Sequence, residues 1–112
     1  MPSTTNYQGG DVVLIDFPFT GSRQTKLRPA LVLLDTGDAD ILVARITSQV
    51  VATAYEVPLT DWRKAGLNAP SAVRLHKLAT LEKKLIDRML GRLERGDRQN
   101  ISAVLQTMFG AW

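Results

Sequence analysis

The amino-acid sequence predicts one mostly β domain that ends in a single α-helix. Three observations point there. Short apolar runs rich in β-branched residues, DVVLIDF at 11–17, PALVLL at 29–34 and ILVARI at 41–46, are separated by turn-forming residues. The C-terminal stretch instead repeats its apolar positions at helical spacing. The length of 112 residues suits one domain, 1–112, with no internal repeat or linker. A chain of this size buries roughly two-thirds of its unfolded surface, enough for a core without covalent staples.

Residues 1–9 are polar and rich in Ser, Thr, Asn and Gly, which predicts a disordered lead-in with order beginning near Gly10. The run 11–17 is too short for a helix and is closed by Pro18, so it is the first strand. Residues 18–27 contain Gly21, Ser22 and two threonines without a hydrophobic period, the signature of a long mobile loop. The run 29–34 is apolar throughout, as in a strand buried on both faces. Asp35, Asp38 and Asp40 read as turn formers, and 41–46 returns as the hairpin partner, followed by Thr47, Ser48 and Gln49. A short strand is expected over 55–59. After it Asp61 can cap a single turn through Lys64 that Gly66 stops. Pro70 and the alternation of Val73 and Leu75 with Ala72 and Arg74 make 71–75 extended. Leu78, Leu81, Leu85, Met89 and Leu93 have helical spacing, and Gly91 leaves helix or strand open for 78–93. For the final helix Asp97 is the expected N-cap. Ile101, Val104, Leu105, Met108 and Phe109 form its apolar stripe and Gly110 its stop.

A net charge of +3 and a sequence pI near 9.6 favour an anionic partner. No carboxylate occurs from Phe17 to Leu34, while Arg23, Lys26 and Arg28 fall close together; this is an anion-attracting stretch or simply a solvated basic loop. With no cysteine there is no disulfide, thiolate zinc site or thiol nucleophile, and the N-terminal residues lack the apolar segment of a signal peptide. A reducing cytoplasm is the expected setting. No apolar run approaches the about 20 residues of a membrane span. A lone histidine, His76, supplies neither a His-rich metal site nor a Ser/His/Asp triad, so no metal and no cofactor are expected. Gly21 has neither the lysine nor the following helix of a phosphate-binding loop. What remains is Arg28 at the start of one buried strand and the hydroxyls of Thr47 and Ser48 at the end of the next. If the two strands form a hairpin, Arg28 and Thr47 share its open end and can converge on one phosphate. The alternative is that Arg28 merely begins a strand and Thr47–Ser48 merely end one.

The segments GDVVLIDFPFTGS (10–22), RPALVL (28–33), ARITSQ (44–49), SAVRLHKLATLEK (71–83) and GRL (91–93) together resemble the MazF/PemK-type toxins of bacterial toxin–antitoxin systems. They occur in that family's order and close to its spacing over nearly the whole chain. The resemblance implies an SH3-like β-barrel of the CcdB/PemK kind with a C-terminal helix, extended chain around 73–81 and 87–93, and a homodimer. It implies a single-stranded RNA substrate held in a groove related to the dimer interface, and inhibition by a cognate antitoxin whose acidic segment occupies the same surface. The implied reaction is metal-independent attack of a ribose 2′-OH on the adjacent phosphate, leaving 2′,3′-cyclic phosphate and 5′-OH ends. By match, Arg28 is the catalytic arginine, stabilising charge on the phosphorane, and Thr47 the hydroxyl that holds the phosphate. Arg23 and Lys26 become phosphate contacts and Gln49, beside Ser48, a reader of base edges. Phe19, Tyr55 and Trp62 either stack on bases or belong to the core, His76 is structural, and Trp112 is a frayed terminus. Where some family members carry a glutamate after the loop's Gly-Ser and a histidine before the Arg-Pro, this chain has Arg23 and Leu27. Two rivals stand beside this reading. One is a CcdB-like, non-enzymatic gyrase-binding toxin, from whose Trp-Gly-Ile ending Gly110-Ala111-Trp112 departs; the other is a catalytically silent RNA-binding barrel.

Overall fold

The computed structural model describes residues 6–18, 25–49 and 53–111. Strands β1 (Asp11–Pro18), β2 (Thr25–Leu34), β3 (Asp40–Thr47), β4 (Glu56–Pro58), β5 (Ala72–Glu82) and β6 (Ile86–Arg92) precede helix α1 (Arg95–Phe109). All pair antiparallel in one sheet of order β4-β5-β3-β2-β1-β6, so the mostly β fold with a C-terminal helix is as predicted. No helix among the described residues is long and apolar enough to cross a membrane.

The pleat explains the continuous apolar run in β2. Leu31 enters one cluster with Val12, Ala44, Ile46 and Val73, while its neighbours Ala30 and Val32 enter another with Val13, Ile15, Ile41 and Val43. Both faces of β2 are therefore covered over 30–32, while Leu27 before the core and Leu34 past it are exposed. Helix α1 covers the first cluster: Ile101 is buried there and Val104, Leu105 and Met108 pack against it. Phe109, the last member of the expected stripe, stays 47% exposed.

The two edges of the sheet are joined by the turn after β4. In it Ala65 N–H donates to the Asp61 carbonyl (3.2 Å) and Leu67 N–H to that of Trp62 (3.1 Å), and Gly66 adopts a φ of +89° that a side chain would resist. The turn lies directly on β6. A Cβ on Gly91 would sit 2.5 Å from the Ala65 carbonyl oxygen, and one on Gly66 would strike the Leu90 carbonyl. Two glycines thus let two backbones touch, and the sheet curls into the SH3-like form that the resemblance implies.

Several expectations are corrected. The stretch 78–93, which its pattern leaves between helix and strand, is extended as the resemblance implies: β5 runs to Glu82, a single 3₁₀ turn spans Lys83–Leu85, and β6 follows. Its apolar residues do not form one stripe, because Leu78 and Leu93 serve one cluster, Leu81 and Leu85 the other, and Met89 is exposed. Asp97 does not cap α1, whose N-cap is Glu94. Its buried carboxylate instead accepts the N–H groups of Thr60 and Asp61, both at 2.9 Å, tying the helix to the turn that closes the sheet. The expected loop 18–27 is shorter, since Lys26 and Leu27 pair with Phe17 and Asp16. Within the lead-in, Tyr7 packs on the second cluster. Residues 1–5, the loop positions 19–24 with Phe19 and Arg23, and Trp112 lie outside the described residues.

Asp35 is more than a turn former. Besides Gly37 N–H (2.8 Å), its carboxylate accepts Tyr7 N–H (2.7 Å) and lies 2.7 Å from Lys83 Nζ. The Lys83 ammonium first, and then the Tyr7 N–H, hold its pKa down to about 2. A depressed carboxylate stabilises the fold above its unfolded pKa of about 3.9, and that contribution is lost as pH falls toward the folded value. Asp35→Asn is expected to lower stability by about 1–3 kcal/mol at neutral pH, leaving the buried Lys83 and Tyr7 groups poorly matched. Denaturation at a series of pH values checks this: the gap to the wild type closes between about pH 5 and 2. A gap independent of pH would assign the effect to shape rather than charge.

Candidate functional site

At its open end, away from the 35–39 turn, the β2–β3 hairpin borders a cleft of about 450 Å³. The pairing of Ala30 with Arg45 sets what meets there. Two residues further along each antiparallel strand Arg28 comes opposite Thr47, and because side chains repeat every second residue, Arg28, Arg45 and Thr47 occupy one face. All three line the cleft, with Ser48, Gln49 and, from β6, Arg88; residues 66–69 form the facing rim. Arg28 and Thr47 are half-buried, whereas Ser48 and Gln49 are exposed.

The Thr47 hydroxyl is oriented by its own strand end. Its oxygen accepts Gln49 N–H at 3.1 Å, while its hydrogen points to the Gln49 carbonyl at 3.4 Å. The second bond is long, so the hydroxyl readily redirects that hydrogen bond to a better acceptor such as a phosphate oxygen. The charge around it has one sign. Three arginines and no carboxylate or histidine are among the described residues lining the cleft. The undescribed segments 19–24 and 50–52, FTGSRQ and VVA, contain neither residue type. Burial first, and then the like charges of Arg28 and Arg74, lower the pKa of Arg45, whose guanidinium nevertheless remains protonated. Arg74, next to Arg45 on β5, is held by Glu56 of β4 through Nε to Oε1 at 2.8 Å. Like charges gathered in a cleft oppose folding and favour an anion that enters it.

Of the residues singled out in the sequence, the structure brings Arg28, Thr47, Ser48 and Gln49 together. Lys26 is exposed nearer the start of β2 and is outside the lining; Phe19 and Arg23 lie outside the described residues. Trp62 packs on the core beneath the Arg63 guanidinium, 4.8 Å from its ring centre. Tyr55 is instead exposed, with the His76 ring 6.0 Å away, and neither lines the cleft. Among the described residues no three His, Asp or Glu side chains gather as a metal-binding group.

Residues 8–109 match the family model of the PemK-like, MazF-like toxin of type II toxin–antitoxin systems. The chain belongs to this toxin family. Among solved structures, it is similar to the Mycobacterium tuberculosis toxin MazF-mt6, with 24% identity, a TM-score of 0.75 and coverage of 91% of this chain and 99% of the other. A mycobacterial endoribonuclease in complex with its cognate antitoxin aligns at 20% identity and a TM-score of 0.75, covering 96% and 99%. MazF from Deinococcus radiodurans aligns at 21% identity and 0.71, covering 97% and 100%. At these identities the likeness establishes the fold.

Two cleft residues of this MazF-like toxin escaped sequence reasoning. Arg45 is two positions before Thr47, a signal that strand alternation made readable. Arg88 had no such signal, because the pattern of its own segment fixes no face and the β1–β6 ladder that carries it is broken by two irregularities. The Glu56–Arg74 pair carries a testable consequence. Glu56→Gln removes one partner of a largely buried ion pair, at an expected cost of roughly 2–4 kcal/mol, reduced by the solvent contact Arg74 keeps. Combined with Arg45→Gln the cost becomes smaller than the sum of the singles, since the second change removes a like charge beside Arg74. Additive losses in a denaturant double-mutant cycle would contradict the coupling.

Proposed function

We propose that this toxin is a metal-independent endoribonuclease that acts in the cytoplasm on single-stranded RNA at specific sequences, leaving 2′,3′-cyclic phosphate and 5′-OH ends. The observation that carries the reading is the meeting of Arg28 and Thr47 in one cleft whose described lining holds three arginines and no carboxylate. In the reaction the 2′-oxygen forms a bond to phosphorus, the bond to the 5′-oxygen breaks, the 2′-proton leaves to solvent and the 5′-oxygen takes up a proton. Arg28 stabilises the charge that grows on the non-bridging oxygens and Thr47 donates a hydrogen bond to one of them. Lys26 and the loop residue Arg23 bind flanking phosphates, Ser48 and Gln49 read base edges, and Phe19 stacks on an unpaired base. The working form is a homodimer. A cognate antitoxin inhibits it by laying an acidic, extended segment along the same cationic cleft; that an antitoxin is the partner is supported by the mycobacterial neighbour in complex with its cognate antitoxin.

Incubation with single-stranded RNA in EDTA, followed by mapping of the ends, tests the activity. Cyclic-phosphate ends are expected, reduced by about 10²–10³-fold in Arg28→Ala. Binding through about three phosphates gives a log–log salt slope near −2. Arrested gyrase with intact RNA would support a gyrase-binding toxin instead, and retarded but uncut RNA a silent binder.

The pH dependence is a separate expectation. No carboxylate or histidine among the described lining residues can take the 2′-proton. The logarithm of the cleavage rate is therefore expected to rise with pH between about 6 and 9 without a plateau. A bell-shaped profile would require a titrating base supplied from elsewhere, such as the partner subunit.

A further inference from the structure

A transverse row of charge crosses the sheet one pleat inward from Arg28 and Thr47. The ladder places Ala30 of β2, Arg45 of β3, Arg74 of β5 and Glu56 of β4 side by side. Arg74 is engaged by Glu56 and does not line the cleft, whereas Arg45 does. Arg45 and Thr47 are two residues apart on one strand face, about 6.6 Å along the strand, a spacing comparable with one nucleotide step of an extended RNA.

Resting on the ribonuclease reading above, we propose that Arg45 forms a second anion subsite, binding the phosphodiester next to the one held by Arg28 and Thr47. Arg45 is a substrate-binding residue at a distance from the reacting phosphorus. Arg28 and Arg74 place like charge around it, so an anion that enters the cleft is attracted by more than one guanidinium. The Arg74–Glu56 pair lies beside Arg45 on the β4 side of the row, and Arg45 itself lines the cleft. The subsite selects for backbone charge rather than base identity, so it adds affinity across RNA sequences.

Three measurements on wild type, Arg45→Gln and Arg45→Lys test this. For single-stranded RNA cleavage, Arg45→Gln raises KM about tenfold, with the loss falling mainly on KM rather than kcat. Its salt slope for binding an uncleavable 2′-O-methyl RNA becomes shallower by about 0.7, one phosphate contact fewer. Arg45→Lys keeps the slope but raises KM by about threefold, because an ammonium lacks the planar fork. This variant decides the matter alone should Arg45→Gln not fold. In the absence of RNA, inorganic pyrophosphate raises the melting temperature of the wild type more than that of Arg45→Gln. A wild type that cuts RNA with variants matching it in KM and slope overturns the subsite and leaves the ribonuclease reading standing. Pyrophosphate stabilisation that depends on Arg45, in a protein that neither binds nor cuts RNA, supports the anion subsite and overturns the ribonuclease reading. Equal pyrophosphate shifts in wild type and Arg45→Gln overturn the subsite whatever the activity.

Discussion

Antiparallel pairing of β2 with β3 is the constraint on which the rest of the molecule depends. Because Ala30 pairs with Arg45, the alternation of side chains sends Arg28, Arg45 and Thr47 to one face at the open end of the hairpin. A slip of one residue in either strand would turn its buried set toward the opposite cluster and take its cleft residues off the shared face. The buried runs on β2 and β3 therefore specify the site as well as the core, since Ala30, Val32, Ile41 and Val43 cannot change clusters without disrupting the packing of both.

The two ends of this hairpin have different electrostatics. At the turn, Asp35 gathers the Lys83 ammonium and the Tyr7 and Gly37 N–H groups, a matched set that holds the fold together. At the open end, guanidiniums from β2, β3 and β6 face a common cleft with no carboxylate in its described lining. Stability concentrated at one end allows an unfavourable charge cluster at the other, the usual relation between a scaffold and a functional site. Asp97 and the glycines at 66 and 91 extend the same logic to the far wall, fixing the 59–69 segment against α1 and β6 so that its rim faces Arg28 and Thr47.

Much of this was readable in the sequence, for identifiable reasons. The β2 run is uninterrupted, the β3 run is broken only by Arg45, Asp35 and Asp40 flank the turn between them, and the α1 stripe repeats over two turns, so local pattern and tertiary role agree. Pattern failed where contacts are distant. Asp97 has the local appearance of a cap, but its partners are Thr60 and Asp61, some 36–37 residues away in sequence. In 78–93 the helical spacing arises because a bent β5, a 3₁₀ turn and an irregular β6 send successive leucines to different clusters. Arg28 and Thr47 were found because a basic stretch and a pair of hydroxyls flank the two apolar runs, although β2 itself begins three residues before Arg28. Arg88 was not, because only the β1–β6 ladder carries it to the cleft.

The central claim is that Arg28 and Thr47 hold the same phosphate. A crystal structure of the toxin with a single-stranded RNA blocked by 2′-O-methyl at the cleavage position tests it most directly. The account expects one phosphate whose non-bridging oxygens accept hydrogen bonds from both the Arg28 guanidinium and the Thr47 hydroxyl, within about 3.2 Å. A phosphate bound by only one of them, or RNA lying outside the cleft, would contradict it.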